Sequence, residues 1–370
     1  MLQIVETTDE FQSLREEWNI IAESSPSPLM KHEFFSACLS VGYLGRIPSI
    51  FILRTEGRVT AIAPFERVRS HGVVRLNPIG RDLHEPSGLL FTDESALHEL
   101  LNAIRATRYP FLLARIGTGQ AEHQALRMVQ RWGDMVLPSD GGTSPYLSLE
   151  AGSEGFERGL SAARKSDIRR KRRRAERIGR LAMRVVCPTT ADVDSTLDAF
   201  FKLEASGWKG RAGSAIISTP EKNGFFRHYG RSLAANGQLR MFILSIGNRD
   251  VAARMAIQYR NRLWELKICY DENFKDCSPG LLLTYDTIRY ACDNKIDTFE
   301  FMGRISDWNS FWGVRLRHHS TIRFYPRGIR GLLCIGSDAL TVALHRHVRL
   351  NGTEKRTTYH KSHAEVRRRS

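Results

Sequence analysis

Apolar residues recur along the chain with two different periods, and the period changes from one segment to the next. Phe11, Leu14, Trp18 and Ile21 are spaced by three and four residues, which predicts a helix between Glu10 and Ala22. Short apolar runs bounded by Gly, Pro or Asn predict strands between such helices. The predicted strands of the first part are Ile47–Arg54, Arg58–Arg67, Leu76–Gly80, Leu89–Thr92 and Phe111–Ile116. The pattern therefore predicts an α/β protein.

The second part of the chain repeats a similar order of elements without evident sequence identity. A stretch rich in Gly, Ser and Pro, Pro138–Pro145, separates the two parts and is predicted to be a domain boundary. The predicted strands after it are Leu181–Cys187, Leu239–Ile246, Val251–Arg260, Leu263–Asp271, Thr298–Met302 and Ser320–Tyr325. We expect a first domain at 1–145, a second at 146–350 and a tail at 351–370.

Positive charge is concentrated in one segment. The chain has 55 Lys and Arg against 40 Asp and Glu, a formal charge of +15, and Arg164–Arg180 contributes ten of the basic residues. Apolar residues such as Ile168 and Ala175 form a narrow stripe there, so one long helix is predicted at 153–179. Two interpretations stay open: a solvated charged face, or a site for a phosphate-bearing ligand or anionic polymer. Nucleic acid is not the favoured partner, because no helix-turn-helix, zinc finger or RNP pattern accompanies the run.

The C-terminal region combines an apolar helix face with a basic tail. The apolar positions of a helix predicted from Gly328 to Val348 are Ile329, Leu332, Leu333, Leu340, Leu344 and Val348. This face either closes the second domain or lies on the inner membrane surface. The tail at 351–370 is too polar to order alone and is expected to act by charge, through contact with an anionic membrane surface.

Features that the sequence lacks bear on its expected location and chemistry. No apolar run reaches the length of about 18 residues that a membrane-spanning helix needs, and the first residues do not resemble a signal peptide. The six cysteines are scattered without metal-binding spacing. We expect a cytoplasmic protein with reduced thiols and no metal, either free or peripheral at the inner membrane.

Several short motifs occur in a recognisable order. They are Arg164–Gly179, Phe200–Glu204 with Trp208–Gly210, Tyr270-Asp271, Ser278–Leu282 and Phe299–Gly303. In this order the chain resembles the CelD/BcsL-type GNAT acyltransferases of bacterial exopolysaccharide synthesis, which are similar to Fem-type transferases. The likeness covers about Phe11 to Tyr325. It implies two tandem GNAT-like domains of the acyl-CoA N-acyltransferase fold, with mixed, mostly antiparallel sheets and flanking helices.

The resemblance also implies a donor site. Acetyl-CoA or another acyl-CoA is the expected co-substrate, with its pyrophosphate on backbone N–H groups at a helix N-terminus. The residues expected to hold it are Tyr270, Asp271, Lys275, Ser278, Gly280, Leu281 and Leu282. An ordinary Pro-Gly helix start is the alternative for Lys275–Gly280. Family members often carry a Tyr-Lys pair where this chain has Ser306–Trp312, so a tyrosine general acid is not supported there.

Attack of an amine on a thioester needs a base, and three carboxylates are candidates. Glu204 falls on the apolar face of its predicted helix, where an acid is costly unless it is paired. Glu300 lies between two Phe on a predicted strand, and Asp307 follows a Gly-Arg turn. Each has a structural alternative: an ion pair with a neighbouring Arg for Glu204, an exposed strand carboxylate for Glu300 and a helix N-cap for Asp307.

The acceptor is expected in the cleft between the domains. In Fem-type proteins the loop that matches Gly80–Pro86 faces this cleft, although a polar surface turn is the alternative here. The residues expected to contact the acceptor are Asp82, His84, Glu85, Trp208, Arg170 and Arg173. The expected acceptor is a sugar or glycan precursor, nucleotide- or lipid-linked.

Three functions remain open at this point. The first is an acyl-CoA-dependent N-acyltransferase that acts on an amino sugar or sugar-linked precursor of an exopolysaccharide. The second is a Fem-like aminoacyl or peptidyl transferase, in which the basic helix would hold tRNA. The third is a degenerate GNAT fold that binds a nucleotide, a membrane surface or an assembly partner without turnover.

Overall fold

The computed structural model describes residues 1–41, 47–70, 72–83, 88–118, 121–213 and 215–341. The strands are β1 (Leu2–Val5), β2 (Ile47–Thr55), β3 (Arg58–Ser70), β4 (Val73–Pro78), β5 (Leu90–Phe91), β6 (Phe111–Gly117), β7 (Met135–Ser148), β8 (Leu181–Val186), β9 (Leu239–Ile246), β10 (Arg249–Tyr259), β11 (Arg262–Tyr270), β12 (Thr298–Glu300) and β13 (Arg315–Tyr325). The helices are α1 (Thr8–Ser13), α2 (Arg15–Ala22), α3 (His32–Ser40), α4 (Glu94–Ala106), α5 (Ala121–Val129), α6 (Gly152–Gly159), α7 (Ala162–Ile178), α8 (Val193–Ala205), α9 (Trp208–Arg211), α10 (Pro220–Ala235), α11 (Pro279–Asp293), α12 (Asp307–Ser310) and α13 (329–341).

The described strands form one mixed sheet with an internal repeat. Its order is β1-β2-β3-β4-β6-β13-β7-β12-β11-β10-β9-β8, with β5 paired to β3 at the side. From one edge the order is β1, β2, β3, β4, β6 and β13, and from the other edge it is β8, β9, β10, β11, β12 and β7. Strands at the same place in these two series correspond to each other in the two halves. The chain therefore folds as two tandem GNAT-like halves, and the predicted fold class is confirmed.

The last strand of each half lies between the two halves and pairs with both. β7 pairs antiparallel with β12 of the second half, and β13 pairs antiparallel with β6 of the first half. β7 and β13 also pair with each other over Arg315–Tyr325. The stretch Pro138–Pro145, which was predicted as a domain boundary, lies inside β7. This stretch is a strand at the centre of the sheet rather than a linker, and the domain bounds at 1–145 and 146–350 stay a prediction.

Helices cover both faces of the sheet and enclose three main cores. On one face, α1–α3 of the first half and α8 and α10 of the second share a single core. Ring contacts between the halves run through Phe34, whose centroid lies 5.9 Å from that of Phe225 and 5.6 Å from that of Tyr229. On the other face each half has its own core, under α4–α5 in the first half and under α6, α7 and α11 in the second. The shared core and the exchanged strands hold the halves together.

The basic segment and the C-terminal helix both differ from the prediction. The single helix expected at 153–179 is two helices, because Ser161 takes an extended backbone and caps α7 through Arg164 N. α13 packs through Cys334 against two residues. These are Val73 of β4, in the first half, and Tyr325 of β13. The expectation that its apolar face closes the second domain is therefore wrong, and most of that face is exposed. The tail at 351–370 lies outside the described residues.

None of the described helices is both long enough and apolar enough to cross a bilayer.

Candidate active site

The sheet opens where β11 and β12 part. The two strands pair in parallel only over Arg262–Trp264 and Thr298–Glu300. Phe301 N then donates to Pro145 O at 3.1 Å, so the chain after β12 stays with β7 while β11 continues alone on that side. A register shift against β10 also leaves Leu266 of β11 without a residue opposite it. Such a bulge redirects backbone groups, here at the edge of the opening.

A cavity of about 740 Å³ lies beyond this opening. Its walls come from β11, the start of α11, the end of α8 and the α12 segment. The apolar lining residues are Ile268, Tyr270, Leu281, Trp308, Phe311 and Trp312, and the polar ones include Glu204, Lys275, Ser278, Thr284 and Asp307. An apolar cavity with a few convergent polar groups is the usual form of a ligand site.

The N-terminus of α11 points its backbone groups toward this cavity. Ser278 precedes the helix with a left-handed backbone, φ 49° and ψ 59°, and Pro279 occupies the first helical position. The N–H of Gly280 comes before the helix's own i→i−4 bonds begin, so it is available to a ligand. A Cβ on Gly280 would lie 3.5 Å from Tyr270 Cδ1 and leaves space for close approach. With Lys275 at the rim, this end of the cavity suits an anionic group.

Five of the seven predicted donor-binding residues line the cavity, namely Tyr270, Lys275, Ser278, Gly280 and Leu281. The other two do not. Asp271 is buried, accepts from Asn273 N at 3.0 Å and pairs with Arg249 at 2.8 Å, so it shapes the turn before α11. Leu282 is fully buried in the second-half core.

Glu204 and Asp307 are the carboxylates that border the cavity. Glu204 is buried on α8, and its Oε2 accepts a hydrogen bond from Ile216 N at 2.8 Å. Asp307 is exposed and is the first residue of α12. The alternative role of Asp307 as an N-cap is wrong, because Ser306 caps the helix and forms a capping box with Asn309.

Glu300 does not line the cavity. It is buried on β12 and pairs with Arg262 at 3.2 Å and Arg317 at 2.8 Å. Arg317 lies on β13 and stacks over Tyr146 of β7, 3.9 Å from the ring centroid. The alternative of Glu300 as an exposed carboxylate is therefore wrong, and its role as a base stays a prediction. Its carboxylate belongs to an ion-pair network that joins the halves.

Only some of the predicted acceptor contacts lie among the residues that the structure describes. His84 and Glu85 lie outside the described residues. Asp82 falls in a 3-10 helix, Arg81–Leu83, and Trp208 begins α9, but their side chains are outside the description. Arg170 is exposed on α7 and pairs with Asp167, and Arg173 is exposed on the same helix.

The basic helix α7 packs beside the cavity. Arg174 pairs with Asp276 at 2.8 Å, and Lys171 donates to the carbonyl of the same residue at 3.3 Å. Arg164 lies 5.4 Å from the ring centroid of Phe311, a cavity wall residue. Another set of α7 cations has no acidic partner within the described part of the chain. These residues are Lys165, Arg169, Arg173 and Arg177, four residues apart along one row of the helix.

A second cavity of about 560 Å³ lies between α8 and strands β8–β10. Four of its five charged residues form two ion pairs, Arg184 with Asp250 at 2.6 Å and Arg249 with Asp271 at 2.8 Å, and the fifth is Lys202. Because both arginines already have partners, this cavity is a weaker candidate for an anionic ligand than the one beside α11.

A buried polar cluster at the junction of the halves was missed by the sequence analysis. Arg115 of β6 has a left-handed backbone, φ 53°, and its Nη2 donates to Ser144 Oγ at 3.0 Å and Gly303 O at 3.1 Å. His319 Nε2 lies 2.9 Å from Ser144 Oγ. Burial, together with nearby Arg115, lowers the pKa of His319 to about 4. Arg115 therefore ties the first half to the turn at Gly303, which leads to Asp307. The residues of this cluster are far apart in sequence, so no local pattern reveals them.

Comparison with known proteins agrees with this geometry. Residues 162–310 match the family model of the acetyltransferase (GNAT) domain. The chain thus carries a GNAT domain and is an acyltransferase, as predicted. No curated protein matches the sequence at a significant level.

Several solved structures share the fold of the whole chain. FemX aligns over 90% of this chain and 98% of its own, with a TM-score of 0.60 and 12% identity. The C-terminal domain of a putative lysylphosphatidylglycerol synthetase from Agrobacterium fabrum aligns over 90% and 96%, with a TM-score of 0.55 and 9% identity. L-PGS from Bacillus licheniformis aligns over 87% and 96%, with a TM-score of 0.52 and 13% identity. At these identities the likeness shows the double-GNAT fold, and the closer resemblance to CelD/BcsL-type proteins stays a prediction.

Proposed function

We propose that this protein is an acyl-CoA-dependent N-acyltransferase whose donor binds in the cavity beside α11. The observation that carries the proposal is the coincidence of three features. The strands part, β11 is bulged at the opening, and the N-terminus of a 15-residue helix faces the same space. A thioester donor needs an anion site, an apolar channel and a polarising N–H. The helix N-terminus would supply the first, the space between the parted strands the second, and the bulged strand β11 the third.

The residues of the cavity divide between binding and proton transfer. Gly280 N–H and Lys275 would hold phosphate oxygens, since a helix N-terminus favours negative charge. Trp308 and Trp312 would cover the apolar part and exclude water. A bound acyl-CoA supplies an activated carbonyl carbon. A backbone N–H of β11 near the Leu266 bulge would polarise that carbonyl.

A carboxylate is needed to take the proton from the attacking amine. Glu204 is held in place by Ile216 N, and Asp307 faces the cavity from α12. Both are placed to accept a proton directly or through water. We assign the base to this pair and leave Glu300 in its structural role.

Calorimetry with CoA and acetyl-CoA tests the donor site. Gly280→Trp should raise the Kd for CoA by at least about tenfold, because the new ring would fill the space beside Tyr270. Gly159→Trp is the matched control, since a Cβ there meets no atom within 4 Å. Unchanged CoA affinity in Gly280→Trp, with an unaltered melting profile, would rule out this site.

The acceptor that we propose is the one predicted from the sequence, an amino sugar or sugar-linked precursor of an exopolysaccharide. The exposed row of α7 supports a phosphate-bearing form of it, nucleotide- or lipid-linked, because Arg and Lys bind phosphate well. Turnover with acetyl-CoA and a panel of amino sugars, free and nucleotide-linked, measures this directly. Turnover with unrelated amines alone would reject the sugar acceptor while keeping the donor.

A second candidate function is transfer of an aminoacyl group, as in the Fem-like alternative. The α7 row favours it, because four cations without acidic partners exceed what one pyrophosphate needs. Structures with the same fold include FemX and the C-terminal domain of a putative lysylphosphatidylglycerol synthetase. Donor competition separates the two functions: transfer from aminoacyl-tRNA with no detectable binding of CoA would replace the first proposal with the second.

A further inference from the structure

Large apolar side chains are exposed at the end of α5 and on α13. Trp132 is 91% exposed and Met128 71%, just after and near the end of α5. On α13, Ile329 is 75% exposed and Leu332 68%, and Leu333 and Leu340 are also exposed. Single exposed hydrophobic residues are common, but groups of them mark interaction surfaces.

The two groups lie at the same end of the β7–β13 pair. Met135, at the start of β7, is opposite Tyr325, at the end of β13. A Cβ on Gly133 would lie 3.1 Å from Cβ of Arg327, and Arg327 N donates to Asp134 Oδ1 at 2.9 Å. Trp132 therefore precedes, and Ile329 follows, a direct contact between their two segments. We call the six residues Met128, Trp132, Ile329, Leu332, Leu333 and Leu340 the Trp132 face.

Exposed cations lie next to residues of the Trp132 face along the chain. They are Arg127, Arg131, Arg327 and Arg330. The acids of the same segments are already used: Asp134 pairs with Arg105 at 2.8 Å, and Asp338 pairs with Arg75 at 2.6 Å. The sequence continues from α13 into 342–370, which holds eight Lys and Arg against two Glu. The Trp132 face thus combines exposed apolar side chains with arginines that are their neighbours in sequence.

We propose that the Trp132 face docks on a lipid bilayer that carries anionic headgroups. The apolar side chains would enter the boundary between headgroups and acyl chains, where Trp is favoured. The four arginines would meet the negative surface, and this attraction should be strongest at low salt. The opposite side of α13 is packed on the fold through Cys334, so the helix would lie on the membrane as part of a rigid body.

Charge distinguishes this occupant from a second copy of the chain. In a symmetric dimer the same patch meets itself, so the arginines of one copy would approach those of the other. Like charges across an interface weaken association. An anionic bilayer instead neutralises the same residues.

Co-sedimentation of the full chain with vesicles tests the proposal. Vesicles of phosphatidylcholine with 30% phosphatidylglycerol should bind the protein at low salt, and pure phosphatidylcholine vesicles should bind it at least about tenfold more weakly. The triple variant Trp132→Ser, Leu332→Ser, Leu333→Ser should lose at least about tenfold of the partition coefficient. Ile20→Ser is the matched control, because Ile20 is 74% exposed on α2 of the same half. Melting profiles confirm that the variants are folded.

Three results would overturn the proposal. One is absence of binding of the unaltered protein to the anionic vesicles. Another is equal binding of the folded triple variant and the unaltered protein. The third is a dimer in solution that the triple variant abolishes, because the face would then be an interface between copies. None of these outcomes depends on CoA binding, so the proposed activity can stand or fall separately.

Discussion

The two halves share an order of elements but use the same segment differently. In the second half, the turn from β11 to α11 opens on a cavity, and Gly280 has space beside it. In the first half, β4 meets β6 only through Leu76 and Phe111, and the turn after β4 is packed. A Cβ on Gly80 would lie 3.1 Å from the Phe34 ring and 3.2 Å from Cys38 Sγ. Repetition of a fold therefore does not repeat its site.

The two cores that the halves do not share also differ from each other. The first-half core under α4 and α5 is built from apolar side chains and includes the buried carboxyl of Glu122, whose pKa is raised by burial. In the second half, Arg254 is fully buried, pairs with Glu265 at 2.8 Å and stacks over Phe299. Its Nη2 donates to Oγ1 of Thr284, a cavity residue, at 2.6 Å. The half with the cavity thus contains a buried ion pair directly behind the cavity wall.

The largest expected effect concerns the independence of the halves. A fragment of residues 151–370 lacks β7, so β12 and β13 lose the strand that lies between them. We expect this fragment to be insoluble or unfolded, and co-expression with residues 1–150 to restore a folded complex. Size-exclusion chromatography and circular dichroism measure the outcome. A monomeric fragment with a cooperative melting transition would show that the halves are separable.

The exchange of strands between the halves explains why the elements could be predicted from the sequence and their arrangement could not. β10 and β11 pair through a two-residue turn, Arg260-Asn261, and such a short turn acts locally. The position of β7 was not predicted, because it depends on partners more than 150 residues away. Pro138 and Pro145 also removed two backbone donors from a central strand, which made the segment resemble a loop.

The next largest effect concerns the carboxylates of the cavity. If Glu204 or Asp307 accepts the amine proton, Glu204→Gln or Asp307→Asn should lower kcat by roughly 10²–10⁴-fold. Donor affinity should change little. Glu300→Gln is the control, since Glu300 is outside the cavity and its loss should act on stability. Unaltered rates in both single variants and in their double variant would remove the pair from the mechanism.

Breaking the buried ion pair should affect stability more than any change to a surface pair. Arg254→Met removes the guanidinium that pairs with buried Glu265, and the free energy of unfolding should fall by about 3–5 kcal/mol. The double variant Arg254→Met, Glu265→Leu should recover most of this loss. Urea denaturation of the three proteins measures the effect. Equal stability of the single variant and the unaltered protein would mean that the pair does not govern this core.

The sequence identified the cavity better than it identified the chemistry around it. Ser278–Leu282 was found because a Pro-Gly helix start after a strand is a local pattern. The surroundings of Glu300 could not be predicted, because alternation on a strand cannot show that Arg262 and Arg317 lie beside it. The Arg115 cluster was missed because it forms only where three strands from distant segments meet.

A smaller effect should appear in the pH dependence of stability. His319 has a pKa of about 4 in the folded chain, against an ordinary value near 6.5. Between these values the unfolded chain binds a proton that the folded chain does not, so stability should fall as pH falls from about 6.5 to 4. His319→Gln should flatten this dependence. His318→Gln should not, because His318 is the exposed neighbour on the same strand. Equal slopes of the urea midpoint against pH in both variants would contradict the assignment.

The smallest expected effect compares the two glycines directly. At Gly80, φ is +81° and a Cβ would press on the Phe34 ring, so Gly80→Ala should cost about 1–2 kcal/mol of unfolding free energy. At Gly280 the backbone is not left-handed and the nearest atom is at ordinary contact distance, so Gly280→Ala should stabilise the protein by about 0.4–1 kcal/mol. The substitution is the same at both positions. Opposite signs of the change in unfolding free energy would therefore reflect the different environments of the two glycines. Thermal unfolding of both variants measures them side by side. Equal destabilisation would mean that the turn before α11 is as tightly packed as the turn after β4, and the contrast between the halves would be lost.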